Sequence, residues 1–93
     1  MSSKSILQTE KRCWFCPCMV GLERHHIMAG TANKKLSEKY GLWVWLCHEH
    51  HTGENGAQYD IERNQQLKRD AQFVFEKKYS HAVWMDVFRK NYL

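Results

Sequence analysis

The 93-residue chain has no apolar run long enough to cross a membrane, and residues 1–9 lack the continuous apolar stretch of a secretory signal. It also has no internal repeat and no low-complexity tract, and its single proline is Pro17. These absences predict one domain over residues 1–93 without a linker, in a cytoplasmic setting with no membrane partner. Thiols stay reduced in that compartment, which argues against a disulfide framework.

What the chain does contain is a spaced set of metal ligands. A domain this short has a core that stabilises it only marginally, and such domains are usually stabilised further by a disulfide or a bound metal ion. Cys13 and Cys16 form a CxxC pair, and Cys47 and His50 form a CxxH pair about 30 residues later. Zinc prefers four thiolate or imidazole ligands. The two pairs therefore predict one structural zinc that holds the fold.

Two nearby residues leave this ligand set open. Either Cys18 or His48 could replace one of the four ligands, because spacing alone does not exclude them. Cys18 lies only two residues past Cys16, so it is poorly placed to supply a third ligand from the same turn. We therefore expect it to be a free cysteine. The alternative to a zinc site is a set of buried free thiols.

The first half of the chain predicts two strands with a helix between them. Residues 21–28 are expected to be extended, and the aromatic and β-branched run over residues 42–46 is typical of a buried strand. Between them, Asn33 is expected to cap a short helix that ends at Gly41.

The second half predicts helices only. A helix is expected to begin at Cys47, and the two glycines Gly53 and Gly56 are expected to terminate it. The apolar stripe of the next helix has spacings of three and four and consists of Leu67, Ala71, Val74, Phe75 and Tyr79. Ser80 is expected to cap a last helix with the inner face Val83, Trp84, Val87 and Phe88.

Three histidines are left after the predicted zinc ligands: His25, His26 and His51. Adjacent residues on a strand point to opposite sides, so His25 and His26 are expected to have different roles. His51 directly follows the predicted ligand His50, so the zinc site would also position it.

The order of these motifs is CxxC, then His-His-Ile, then a strand leading into Leu-Cys-x-x-His-His. This order resembles the HNH nucleases, also called ββα-metal or His-Me finger nucleases, over about residues 13–55. The resemblance implies a small α+β fold in which a β-hairpin and a helix clasp one catalytic divalent ion. A structural zinc knuckle would lie beside this core, and helices would follow over residues 60–92 of the same nuclease domain.

The resemblance also implies the roles of the histidines. His25 and His51 match the positions of metal ligands, His26 matches the general base, and Asn55 matches a further ligand that some members add. The implied activity is metal-dependent hydrolysis of phosphodiester bonds in DNA by an endonuclease that leaves 5′-phosphate ends and nicks one strand. Because imidazole ligands favour Zn²⁺, Ni²⁺ or Mn²⁺ over Mg²⁺, we expect Mn²⁺ or Ni²⁺ to support activity at least as well as Mg²⁺.

The chain departs from the family at its central asparagine, which orients the base. Leu42 stands at that position, and Asn33, the only asparagine between the two motifs, does not fit the spacing. A backbone carbonyl could orient His26 instead. The departure bears on catalytic efficiency more than on the fold.

A narrower resemblance covers the run His-His-Ile-x-x-Gly-x-x-Asn-Lys-Lys-Leu-Ser-Glu-Lys-Tyr-Gly-Leu. It is similar to small phage-encoded HNH proteins that are grouped with RecA-dependent recombination-enhancement nucleases. This implies a phage or prophage protein in a bacterial host, with a recombinase or another phage protein as a partner. The oligomeric state and the DNA structure that is cut stay open.

The net charge of +4 and the pI of about 9.0 suit an acidic partner such as DNA. Lys34, Lys35 and Lys39 lie between the two histidine motifs and are expected to contact DNA phosphates, without sequence readout. The main alternative is a non-catalytic zinc-knuckle protein that binds nucleic acid or another protein. A metal-storage or interaction module is the second, although it would need neither the basic charge nor these lysines.

Overall fold

The computed structural model describes residues 4–28, 30–53, 56 and 60–93. Over these residues the chain is a small α+β protein with one two-stranded sheet and four helices. No helix in the described ranges is both long and apolar enough to span a membrane. In chain order, the elements are β1 (Glu23–His26), α1 (Thr31–Tyr40), β2 (Trp43–Leu46), α2 (His48–His51), α3 (Ile61–Lys78) and α4 (His81–Phe88).

The two strands pair antiparallel, with α1 as the connection between them. Glu23 pairs with Leu46 at one end of the ladder, and His26 pairs with Trp43 at the other. Because side chains alternate along a strand, the face that carries His25 turns inward and the face that carries His26 turns outward. The core therefore lies on the His25 side of the sheet, against α3.

Helix α1 starts earlier than the sequence predicts. Gly30 is its N-cap, with a φ of 97°, and Lys34 N–H donates to the Gly30 carbonyl at 2.8 Å. The predicted cap at Asn33 is therefore wrong: Asn33 lies inside the first turn, because glycine adopts the required φ without strain. The end at Gly41 is confirmed, with a left-handed φ of 71° and a backbone so close to the Lys4 carbonyl that no Cβ would fit.

The main core forms where the buried side chains of α3 and α4 join those of the sheet in one cluster. Phe75 is fully buried, and its ring packs against Trp84 and Tyr40, each at a centroid distance of 5.3 Å. These aromatic contacts join α1, α3 and α4. The fully buried aliphatic side chains around them are Ile27, Leu42, Val44, Leu46, Leu67 and Ala71.

The predicted stripe of α3 is confirmed at Leu67, Ala71 and Phe75, but it is wrong at Tyr79, which follows the last helical residue and is 43% exposed. The buried polar residue Gln72 takes part in the inner face instead. Its side-chain amide accepts from Tyr92 N–H and donates to Asn91 Oδ1, both at 2.7 Å. These bonds satisfy the buried amide and fix the C-terminal segment against α3.

The predicted cap of α4 is confirmed, because Ser80 Oγ accepts from Val83 N–H at 3.1 Å. Trp84 is fully buried as predicted, and its Nε1 donates to the Lys90 carbonyl at 2.8 Å. Val83 is 38% exposed, so its assignment to the inner face is wrong. Only the side of α4 that carries Trp84 faces α3.

We expect Phe75→Ala to lower the free energy of unfolding by about 3–5 kcal/mol, because it opens a cavity at the junction of three helices. Phe73→Ala on the same helix is the matched control, since Phe73 is 53% exposed. Its expected cost is below about 1 kcal/mol. Urea denaturation followed by circular dichroism measures both, and equal costs would contradict this account of the core.

Candidate functional site

Four side chains converge where the N-terminal turn meets the start of α2. The ligand atoms of Cys13, Cys16, Cys47 and His50 all lie within 4.8 Å of one another, so this cluster could hold a metal ion. The Cys16 and Cys47 sulfurs are 3.8 Å apart. Two sulfurs at about 2.3 Å from a tetrahedral ion are separated by about 3.8 Å, so the spacing fits such an ion. We call these four residues the Cys/His cluster.

The backbone holds both arms of the Cys/His cluster in place. Cys13 N–H donates to the Cys18 carbonyl at 2.8 Å and closes the CxxC turn, and Trp14 N–H donates to the Trp45 carbonyl at 2.8 Å. The second bond fixes the turn to β2. Cys47 directly follows β2 as the N-cap of α2, which brings it opposite the turn.

The protonation of the thiols reflects their burial and crowding. Burial, together with the neighbouring thiols Cys13 and Cys16, raises the pKa of Cys47 to about 11, although a backbone hydrogen bond at His50 acts to lower it. Burial also acts to raise the pKa of Cys13, but backbone hydrogen bonds outweigh it, so this pKa lies below its ordinary value. Because a cysteine ligand of a metal must be a thiolate, a metal bound here would displace the Cys47 proton.

The two residues that the sequence left open lie outside the Cys/His cluster. Cys18 Sγ donates to the Val20 carbonyl at 3.3 Å. His48 is exposed, and its Nδ1 lies 3.2 Å from Thr52 Oγ1. The geometry therefore selects Cys13, Cys16, Cys47 and His50 as the group that could bind a metal.

A second site lies between β1 and the end of α2. His25, His26 and His51, the three remaining histidines of the motifs, line one cavity of about 390 Å³. We call it the histidine cavity. The other residues that line it are Arg24, Ile27, Lys34 and Asn64.

His25 is the buried member of this group, with only 7% of its surface exposed. Its ring packs edge-on against His51 at a centroid distance of 5.2 Å, and its Nε2 has no hydrogen-bond partner within the part of the chain that the structure describes. Burial, followed by electrostatic repulsion from His51, His26 and Lys68, lowers the pKa of His25 to about 4. At neutral pH the ring is therefore uncharged, which is the state that binds metals.

His51 is the last residue of α2 and is oriented by a carboxylate. Its Nδ1 lies 2.8 Å from Glu23 Oε1, a residue on β1. A carboxylate that fixes one ring nitrogen of a histidine is a common companion of metal binding through the other nitrogen. A metal held by His51 would therefore bind through Nε2.

His26 is paired with a residue that the sequence analysis missed. Its Nε2 lies 2.6 Å from Glu38 Oε1, and Arg24 Nη1 donates to the same carboxylate at 3.0 and 3.1 Å. Burial acts to raise the pKa of Glu38, but the hydrogen bonds from His26 and Arg24 outweigh it and hold this pKa below its ordinary value. Only the folding of α1 against β1 brings Glu38 here, so no local spacing could have indicated it.

The predicted phosphate contacts divide into two groups. Lys34 lines the histidine cavity, whereas Lys35 and Lys39 lie on the exposed surface of α1, outside the lining. Asn64 of α3 reaches the cavity from the far side, which the sequence analysis did not foresee. Asn55, the further predicted ligand, lies outside the described residues.

Comparisons of the chain with models of known protein families, with curated proteins and with solved structures gave no match.

We expect Cys47→Ser to lose most of its bound metal and to unfold, because a hydroxyl replaces a thiolate at the centre of the Cys/His cluster. Cys18→Ser is the matched control and should keep both metal and fold. Inductively coupled plasma mass spectrometry measures the number of metal ions per protein molecule, and circular dichroism measures whether the variant is folded. Full metal content in Cys47→Ser, or equal loss in Cys18→Ser, would show that the cluster is not the binding site.

Proposed function

We propose that the protein is a metal-dependent DNA endonuclease of the HNH type, a hydrolase that nicks phosphodiester bonds. One observation carries this proposal: His25, His26 and His51 line the same cavity, although the first two point to opposite sides of a strand. A protein that only used its Cys/His cluster to fold or to bind a partner would have no need for this arrangement.

The order of elements supports the ββα-metal assignment. The antiparallel pair β1 and β2 leads directly into α2, and α2 carries His51 towards β1. We infer that the Cys/His cluster holds a structural zinc, since three thiolates and one imidazole are ligands that zinc prefers. The zinc would then brace the short helix that presents His51.

We infer that His25 and His51 bind a catalytic divalent ion, with Asn55 as a further ligand. The unpartnered, buried Nε2 of His25 and the carboxylate on Nδ1 of His51 fit such a role. The ion, whether Mn²⁺, Ni²⁺, Zn²⁺ or Mg²⁺, would bind the scissile phosphate and stabilise the leaving 3′-oxygen. The chain itself supplies the ligands and excludes water from the buried side of His25.

His26 is the general base in this proposal. Its side chain is 23% exposed, so it can reach a water molecule in the cavity, and an imidazole accepts a proton near neutral pH. Lys34 at the rim would hold a backbone phosphate, and Lys35 and Lys39 on the same helix would extend this contact along the DNA. We further propose a phage or prophage protein that acts in the bacterial cytoplasm beside a recombinase.

A non-catalytic zinc-knuckle protein that binds nucleic acid is the second candidate. It is favoured by Leu42, which occupies the position of the family's central asparagine and is fully buried in the core. The side chain of Leu42 therefore cannot orient His26. The same Cys/His cluster would serve either function, so only an activity measurement separates them.

The decisive test is the nicking of supercoiled plasmid DNA by the wild type and by His26→Ala. We expect His26→Ala to reduce the rate by about 10²- to 10⁴-fold, because a general base contributes that much, without loss of zinc. His81→Ala is the matched control, since His81 is exposed and pairs only with Glu76 in the described contacts. Metal-independent cleavage, or an unimpaired His26→Ala, would refute the assignment.

The choice of ion gives a separate prediction. We expect Mn²⁺ or Ni²⁺ to support nicking at least as well as Mg²⁺, because two imidazoles are poor ligands for magnesium. The measurement is the initial nicking rate of zinc-loaded protein across a panel of divalent ions at equal concentration. A strict requirement for Mg²⁺ would contradict His25 and His51 as the ligands.

A further inference from the structure

We propose that Glu38 is the positioning residue for His26: it holds Nε2 as the protonated nitrogen and so leaves Nδ1 to accept a proton. This inference deepens the proposed function and rests on it, since positioning matters only if His26 acts as a base. Glu38 does not touch the reacting atoms in this account and acts through His26 alone.

The contact between the two side chains is short and partly shielded from solvent. His26 Nε2 and Glu38 Oε1 are 2.6 Å apart, with 23% and 28% of the two side chains exposed. A hydrogen bond to an ionised group is shorter and about twice as strong as one between neutral groups. A contact of this kind can fix the rotation of an imidazole ring that strand geometry alone would leave adjustable.

A second cation keeps the carboxylate itself in place. Arg24 and His26 lie two residues apart on β1, so both project from the outer face of the sheet, and Glu38 accepts from both. The Arg24 guanidinium is held in turn over the Trp43 ring, at 3.9 Å from the centroid. The ring of His26 is therefore held through successive contacts: the buried Trp43 holds Arg24, Arg24 holds Glu38, and Glu38 holds His26.

The direction of the hydrogen bond follows from the charge of Glu38. Beside Arg24 the carboxylate is ionised at neutral pH, and an ionised carboxylate only accepts hydrogen bonds. Nε2 of His26 must then be the donor, and in the neutral ring Nδ1 carries the lone pair. Glu23 fixes the other ring nitrogen, Nδ1, of His51. Two carboxylates thus orient two histidines of the same cavity through opposite nitrogens.

The first test is the steady-state kinetics of DNA nicking by Glu38→Ala and Glu38→Gln. We expect kcat to fall by about 10- to 100-fold in Glu38→Ala, as is typical when the partner of a catalytic side chain is removed, with KM changed less than about twofold. Glu38→Gln should be intermediate, because the amide oxygen still accepts a hydrogen bond but carries no charge. A loss confined to KM, or no loss, would overturn the proposal.

Glu76→Gln is the matched control for these variants. Glu76 of α3 is also a helix-borne carboxylate that contacts a histidine at 2.8 Å, but its partner His81 lies outside the lining of the cavity. It should retain the wild-type kcat. Circular dichroism and zinc content of each variant separate a loss of positioning from a loss of fold.

The second test does not depend on nuclease activity. In the zinc-loaded full chain, ¹⁵N NMR of the imidazole rings at a pH where they are neutral reports which nitrogen carries the proton, and His26→Ala identifies the signal. We expect His26 to be protonated on Nε2, with slow exchange of that proton that becomes fast in Glu38→Ala. A proton on Nδ1, or exchange unchanged in Glu38→Ala, would refute the proposal even if the wild type cuts no DNA.

Discussion

The structure depends on the junction between β2 and α2, where Cys47 and His50 meet the Cys13–Cys16 turn. Helix α2 has only four residues, and a helix that short has no stability of its own in water. Its position is therefore set by the Cys/His cluster and by the strand before it. His51 directly follows His50, so the same cluster fixes the direction in which His51 enters the histidine cavity. The Cys/His cluster and the histidine cavity are thus linked through two neighbouring residues of one short helix.

The alternation of a single strand gives two neighbouring histidines different surroundings. His25 faces the core, where burial lowers its pKa to about 4 and keeps it neutral. His26 faces outward, beside Glu38 and partly exposed to water. A neutral, buried imidazole suits a metal ligand, and a solvent-accessible imidazole with one nitrogen fixed suits a base. Two identical side chains are therefore suited to different roles because of their positions on the strand. This difference supports the proposed nuclease.

The sequence predicts the parts of this protein that depend on local spacing. The CxxC and CxxH pairs predict the four members of the Cys/His cluster, and the apolar periodicity predicts Leu67, Ala71 and Phe75 in the core. The features it misses depend on contacts between distant elements. Glu38 reaches His26 because α1 packs beside β1, and Asn64 of α3 reaches the histidine cavity. The helix start at Gly30 was missed for another reason, since a cap made by backbone conformation leaves no polar side chain to read.

Among the described residues, the Nε2 atom of His25 is the feature that ordinary packing explains least well, because it is buried and has no hydrogen-bond partner there. A buried polar atom without a hydrogen bond costs about 1–3 kcal/mol, which is a large share of the roughly 5–15 kcal/mol that stabilises a small domain. An apolar residue at this position, opposite Val44 and beside Ile27, would fill the same space without that cost. The imidazole is then best explained by a ligand that satisfies its nitrogen. The neutral charge state, the edge-on contact with His51 and the carboxylate on His51 all favour a divalent metal ion as that ligand.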